Sequence, residues 1–297
     1  MRALLGGGFG RAATSSATKQ NILTVDVEEW YHPSLCEGQR HTDEHEATRL
    51  EQNIEKLLDR CEAHDAHATF FVLGSVAERK PWLVRMIRDA GQDIAIHGYD
   101  HRLVYRQTRQ DFEADVKKAL DVVQEITGKG VRGYRAPSWS ITEGMFWVYE
   151  TLDRLGLEYD ASVFPFKTFL YGMPNAPRFP YYPTDGRRSA GVIEVPASTV
   201  RLFGMNLPFA GGFYLRMLPW AAISLAIRRV NGEGYPAILY IHPYEIDPRE
   251  RRAPLGARDR FIQYGGISGA LDKLERLLAT FSLTSIEKAL DSGLLRS

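Results

Sequence analysis

Apolar and polar positions along this chain switch repeatedly between a period of two and a helical period. "NILTVDVEEW" (21–30) opens with a β-favouring run and predicts a strand. Leu50, Ile54, Leu57, Leu58 and Cys61 recur at helical spacing, predicting an amphipathic helix over 47–61. "HATFFVL" (67–73) predicts a buried strand. "PWLVRMIRDAG" (81–91) predicts a helix with proline in its first turn and glycine at its end. "DIAIH" (93–97) is the next strand, and Phe112, Val116, Leu120, Val123 and Ile126 mark a helix that Gly128 ends. "VRGYRAP" predicts a strand, 143–155 a helix and "LEYDAS" a short strand. Strand "GVIEVP" (191–196), a helix near 217–230, strand "AILYIHP" (237–243) and a helix near 267–279 follow. "TSIEKAL" then predicts a helix capped by Thr284, with Glu287 three positions on.

Strands alternating with helices argue a parallel sheet with crossover helices. Roughly seven such units suit an α/β barrel better than an open sheet. Neither an internal repeat nor an interdomain linker interrupts the pattern, so residues 21–297 are expected to form a single domain. Residues 1–20 lack the apolar core of a signal peptide and are expected to be a disordered tail. One stretch breaks the alternation. "FPFKTFLYGMPNAPRFPYYP" (164–183) holds seven aromatics and five prolines, so it predicts a long structured loop. It is either a lid packing its own rings, a platform for sugar rings, or both.

Composition narrows the classes. With 297 residues and 44% hydrophobic content the chain can bury a sizeable core. The 37 basic and 37 acidic residues cancel, so bulk charge favours neither nucleic acid nor an anionic membrane. Cys36 and Cys61 give neither a disulfide framework nor a CxxC pair, and two free thiols in a reducing compartment are expected. No apolar run approaches the roughly 18 residues of a transmembrane helix. Without an export signal, the cytoplasm is the expected location.

The candidate chemistry begins with "AIHGYDHR" (95–102). His97 and His101 lie four apart after an apolar run, so a helix face or a tight turn can point both imidazoles one way. Two neutral imidazoles make half a metal site. In "VDVEE", Asp26 and Glu28 are two apart on a strand and share a face, whereas Glu29 faces opposite. Two such carboxylates are costly together unless a cation shares them. One can complete the metal site and the other stay free as a base. Arg135, in "GYRAPSW" at a strand end, can grip a carboxylate with two donors. His242 ends the apolar strand of "LYIHPYEID" and can serve as general acid. His32, His41, His45, His64 and His67 have no comparable setting.

These groups fall in chain order, each at the end of a different strand. "TVDVE", "HGYDH", "RAPSW" and "LYIH" resemble, in that order, the four motifs of the polysaccharide deacetylases of carbohydrate esterase family four. The resemblance spans roughly residues 21 to 290. "GGFYLR" (211–216) and "YIHPYEIDP" (240–248) are most similar to a bacterial subgroup that accompanies exosortase-linked exopolysaccharide loci. The resemblance implies a deformed (β/α) barrel of about seven strands, one divalent metal ion and hydrolysis of N-acetyl groups, a carbon–nitrogen but non-peptide bond, on a sugar polymer. Asp26 matches the base, His97 and His101 the metal histidines, Arg135 the brace of the base and His242 the proton donor.

Three departures stand out. The family's second, metal-binding Asp is Val27, which cannot ligate, so the role passes to Glu28. Ser138, not an aromatic, follows Arg-Ala-Pro, with Trp139 next. A further motif of the family, an Asp that tunes the acid histidine, is only hinted at by Asp160 in "YDAS". Trp30, Tyr134, Pro137 and Trp139, beside the motifs, are expected to meet the substrate. The tetrahedral oxyanion is expected to lean on the metal and on a backbone N–H near Tyr134–Ala136. Zinc suits a two-His-one-carboxylate set, and cobalt, nickel or iron fit similar ligands. The expected partner is an N-acetylated oligo- or polysaccharide. Two other readings share these residues: an amidase or deformylase on a smaller amide, and a non-catalytic carbohydrate-binding relative.

Overall fold

The structure is a computed structural model that describes residues 20–39, 49–169 and 171–295. The expected N-terminal tail, His41 and His45 lie outside these residues. The strands are β1 (Asn21–Val27), β2 (Ala68–Val72), β3 (Asp93–Ile96), β4 (Gly133–Tyr134), β5 (Tyr159–Asp160), β6 (Ile193–Glu194), β7 (Thr199–Leu202), β8 (Met205–Pro208), β9 (Ile238–Ile241) and β10 (Leu283–Thr284). The helices are α1 (Leu50–Ala63), α2 (Gly74–Arg79), α3 (Pro81–Asp89), α4 (Arg109–Thr127), α5 (Phe146–Arg154), α6 (Gly212–Met217), α7 (Trp220–Gly232), α8 (Ala257–Tyr264), α9 (Ala270–Thr280) and α10 (Ile286–Asp291).

Eight of the strands form one curled parallel sheet in the order β10-β1-β2-β3-β4-β5-β6, with β9 also paired to β1. The register sets Asp26 beside Phe71 of β2, and Thr24 beside Tyr240 of β9. Both faces are covered. Ile22, Phe71, Ala95, Tyr159, Ile193 and Ile238 fill the concave side. Leu23, Val25, Phe70 and Val72 pack outward with Leu50 and Ile54 of α1. A sheet buried on both sides needs near-continuous apolar strands, which is why these runs lack a polar alternation.

The sheet does not close by a regular ladder. Between β6 and β9, the Ser198 N–H donates to the Ile238 carbonyl at 3.1 Å and the Tyr240 N–H to the Ala210 carbonyl at 3.0 Å. The chain between them leaves as the antiparallel hairpin β7–β8. The result is a half-open, deformed barrel flanked by helices, as the alternation and the family resemblance predict.

Local signals account for most boundaries. Thr108 and Asp111 form a reciprocal capping box at the start of α4, and Gly128 ends it with φ 66°. The helix expected near 217–230 is α7, which starts just after Pro219, and the short α6 precedes it. The expected cap at Thr284 is corrected. Thr284 lies in β10, paired with Ile22, and the Ser285 hydroxyl accepts the Lys288 N–H to cap α10. The 164–183 stretch is irregular apart from an isolated bridge at Tyr181, and Phe164 in it is fully buried.

Candidate metal and acid–base centre

The C-terminal ends of β1, β3, β4 and β9 converge, bringing Asp26 and Glu28, His97 and His101, Arg135, and His242 together. β1 ends at Val27, and the chain then turns so that the Glu28 N–H donates to the Asp26 carbonyl at 2.9 Å. Both carboxylates are buried. Glu29 points elsewhere, to Tyr31, Arg79 and Lys80.

His97 and His101 lie on a loop after β3, not on a helix. Gly98 and His101 both take left-handed backbone, at φ 72° and 53°. Glycine has no penalty there, and His101 bears the strain of a conformation common near functional sites. The turn brings the two rings to 5.4 Å between centroids. Glu28 Oε1 lies 3.0 Å from His97 Nε2 and 2.9 Å from His101 Nε2. His97 Nδ1 donates to the Arg135 carbonyl at 2.8 Å, which fixes the tautomer and leaves Nε2 for a ligand. Burial alone would raise the Glu28 carboxyl, but the two imidazoles outweigh it and hold it well below its ordinary range. One oxygen and two nitrogens within 4.8 Å of one another, all buried, form a three-donor set that fits a divalent cation.

Asp26 stands beside this set with different partners. Arg135 Nη1 donates to Asp26 Oδ1 at 2.6 Å and to Thr24 Oγ1 at 2.8 Å. Arg135 Nε is spent on the Ala161 carbonyl at 2.9 Å, so the two-donor grip expected on the carboxylate is corrected to a single-nitrogen contact. The guanidinium lies 4.1 Å from the Phe71 ring and 4.8 Å from that of Trp139. His242 Nε2 is 3.8 Å from Asp26 Oδ2.

The sequence reading missed the partner of His242. Glu245 Oε2 accepts from His242 Nδ1 and from the His242 backbone N–H, each at 3.0 Å. Burial disfavours the imidazolium, but Glu245, followed by Glu28 and Asp26, lifts His242 to about 9. Burial likewise opposes the charge of Glu245, yet His242 and Arg216 hold its carboxyl down to about 2. Arg216 Nε donates to Glu245 Oε1 at 2.8 Å and its Nη2 to the Ile262 carbonyl at 2.8 Å. Both residues sit in the quoted "GGFYLR" and "YIHPYEIDP" stretches. The signal was there: Glu245 lies three residues after His242, at the reach of a tight turn.

Asp160, the expected counterpart of the tuning Asp, is corrected. It accepts from Ser162 Oγ at 2.5 Å and pairs with Glu194. Burial and the neighbouring Asp160 charge push the Glu194 carboxyl well above its ordinary range. The expected oxyanion donors near Tyr134–Ala136 are also corrected. The Arg135 N–H is committed to the Ile96 carbonyl and the Ala136 N–H to Ser162 Oγ.

A cavity of about 120 Å³ opens over Asp26, Glu28 and His242, walled by Trp139, Tyr171 and Phe213. Of the four residues expected to meet substrate, Trp139 lines it. Tyr134 turns to the outer face of the sheet and packs edge-on against Phe112 of α4. Trp30 packs with Tyr31 and beneath the Arg251 guanidinium, and Pro137 is buried near Gly98. No helix among the described residues is long and apolar enough to cross a membrane.

Comparison with known proteins divides the chain near β5. Residues 38–158 match the polysaccharide deacetylase family, and residues 161–291 match a domain of unknown function, DUF3473. A peptidoglycan deacetylase of Helicobacter pylori is 31% identical over 113 residues, covering 38% of this chain and 38% of the relative. A peptidoglycan-N-acetylglucosamine deacetylase of Bacillus cereus is 26% identical over 117 residues, covering 35% of this chain and 42% of the relative. The chain thus matches less than half the length of these relatives. A solved structure from Mycobacterium smegmatis, assigned as a polysaccharide deacetylase, superposes with a TM-score of 0.60 at 21% identity, covering 93% of this chain and 91% of that one. A pseudoenzyme of carbohydrate esterase family 4 from Bacillus anthracis superposes with a TM-score of 0.51 at 16% identity, covering 93% and 66%. Residues 38–158 are thus similar to the polysaccharide deacetylase family and to peptidoglycan deacetylases, in keeping with the motif order at the strand ends, and the whole fold is similar to that of the Mycobacterium smegmatis structure.

Proposed function

We propose that this chain removes N-acetyl groups from an amino-sugar polysaccharide or its precursor. The supporting observation is the division of labour between two carboxylates two residues apart. Glu28 meets both imidazoles, whereas Asp26 lies between Arg135 and His242. Glu28, His97 and His101 would hold the ion, and zinc suits the donors, with cobalt, nickel or iron as alternatives. When bound, the ion would polarise the acetyl oxygen and acidify a water molecule.

The chain's own residues supply the proton transfers. Asp26, oriented by the Arg135 contact at Oδ1, accepts a proton from the attacking water. His242, with Glu245 behind it, donates a proton to the departing amine, which cannot leave as an anion. Ser138 lines the cavity just past Pro137, and we assign its backbone N–H to the developing oxyanion. Trp139, whose face already carries the Arg135 guanidinium, walls the acetamido group. The products are acetate and a free amino sugar. Kinship with the exopolysaccharide-locus subgroup, drawn from "GGFYLR" and "YIHPYEIDP", belongs to the same reading.

Acetate release from N-acetylchitooligosaccharides by the metal-loaded protein tests it. Asp26→Asn should lower kcat by about 10²- to 10⁴-fold while KM changes little. The small cavity also favours one rival, an amidase acting on a small amide. Turnover of formamides or cyclic amides, without turnover of chitooligosaccharides, would replace our reading with that one.

A further inference from the structure

Among the described residues, the 164–183 segment lines the catalytic cavity with Tyr171, and it builds a second recess on its other side. That groove, of about 730 Å³, runs between this segment and the β7–β8 hairpin. Its lining carries Lys167, Arg178 and Arg201 but no carboxylate. Among the described residues, Lys167 and Arg201 form no ion pair, and both are exposed. Arg178 is anchored by Glu233 at 2.8 Å and the Thr199 carbonyl at 2.8 Å. Its side chain is only 9% exposed, and its buried Nε has no partner. Phe166 and Phe179 add apolar surface, and Asn175 an amide.

The wall is stiff. Pro165, Pro174 and Pro177 restrict the backbone, and Phe179 stacks on Tyr235 with centroids 3.8 Å apart. One turn separates the groove from the catalytic cavity. Thr168 N–H and Oγ1 both donate to the Tyr171 carbonyl at 2.8 Å, and Asn206 Nδ2 ties Pro165 to the hairpin at 3.0 Å. Phe166 and Lys167 on one flank of this ridge face the groove, and Tyr171 on the other faces the cavity.

We propose that the groove is a second carbohydrate subsite that takes a carboxylate-bearing sugar of the same polymer whose acetamido group enters the catalytic cavity. This rests on the deacetylase reading above. Lys167 and Arg201, which have no ion pair among the described residues, select an anion, and planar apolar faces beside them suit a sugar ring. A polymer lying across the ridge would therefore be read at two points, and an acidic glycan would be preferred to neutral chitin.

The test separates binding from turnover. Hexagalacturonate carries carboxylates and no acetamido group, so its binding by calorimetry requires no catalysis. Wild-type protein should bind it with a salt-dependent Kd, and Lys167→Glu/Arg201→Glu should weaken that binding about tenfold or more. The same double variant should raise KM for a hyaluronan hexasaccharide, whose uronates alternate with N-acetylglucosamine, and leave kcat and KM for chitohexaose unchanged. Equal binding of hexagalacturonate by wild type and variant, or none by wild type, overturns the proposal. So does sedimentation with phosphatidylcholine–phosphatidylglycerol vesicles that the variant abolishes while hexagalacturonate stays unbound. That result would assign the cations and the 90%-exposed Phe203 at the hairpin tip to a membrane surface. Charge-dependent hexagalacturonate binding without acetate release from any glycan would support the groove and defeat the deacetylase reading.

Discussion

Glu245 decides the protonation of His242, and its removal makes a measurable difference. Its carboxylate lies 3.0 Å from Nδ1 and helps lift His242 to about 9. Glu245→Gln keeps the shape and removes the charge, so His242 should lose its proton at lower pH. The alkaline limb of the kcat profile should move down by about one pH unit or more, and Glu245→Asp should restore part of it. The sign for stability follows from linkage. A raised histidine pKa contributes fully below the ordinary imidazole range and is lost as pH rises through about 9. An unchanged alkaline limb in Glu245→Gln would show that His242 is not the acid. At this scale Asp26, Glu28, His97, His101, Arg135 and His242 were legible because motif spacing fixes which side chains leave a strand end together. Tyr134 was misjudged because it neighbours Arg135: adjacent strand residues face opposite sides, so one enters the barrel and the other the helix layer. Glu245 was missed because its partner was sought in a distant motif instead of in its own turn.

The elements were legible wherever both faces of a strand or one stripe of a helix had to be apolar. β7, β8 and β10 were not, nor were the short helices α2, α6 and α8. β10 is two residues long, and Thr284 in it looks like a cap until its pairing with Ile22 is seen. The helix that follows carries its own strain. Burial, then Asp93, raises the Glu287 carboxyl in the first turn of α10 to about 7. A raised carboxyl contributes stability while protonated, and that contribution fades between the ordinary range near 4.5 and about 7. Glu287→Gln should therefore be more thermostable than wild type at pH 8, by about 5 °C, with little difference at pH 4.5. Paired melting curves at the two pH values check this, and a difference of equal size at both would remove titration as its cause.

At the scale of the whole molecule, the two matched segments meet at residues 158–161, inside a sheet whose strands run from Asn21 to Thr284. The division also splits the site. Glu28, His97, His101 and Arg135 come from the first part of the chain, and Arg216, His242 and Glu245 from the second. Neither part alone carries both the three-donor set and the His242–Glu245 pair. The fold is shared with a family-4 pseudoenzyme and does not by itself guarantee turnover, which depends on the side chains it carries. If the ion binds only the folded chain, dipicolinate should abolish acetate release and lower Tm, by about 2.7 kcal/mol of stability when free metal had stood at 100 times its Kd. Added zinc should reverse both.

The ion content of three purified proteins, measured after dialysis against metal-free buffer, goes to the centre of the account. Wild type and Asp26→Asn should each retain about one divalent ion per chain, and Glu28→Ala should retain almost none. Retention by Glu28→Ala together with an empty Asp26→Asn would reverse the roles of the two carboxylates, and an empty wild type that takes up no zinc would contradict the metal centre altogether.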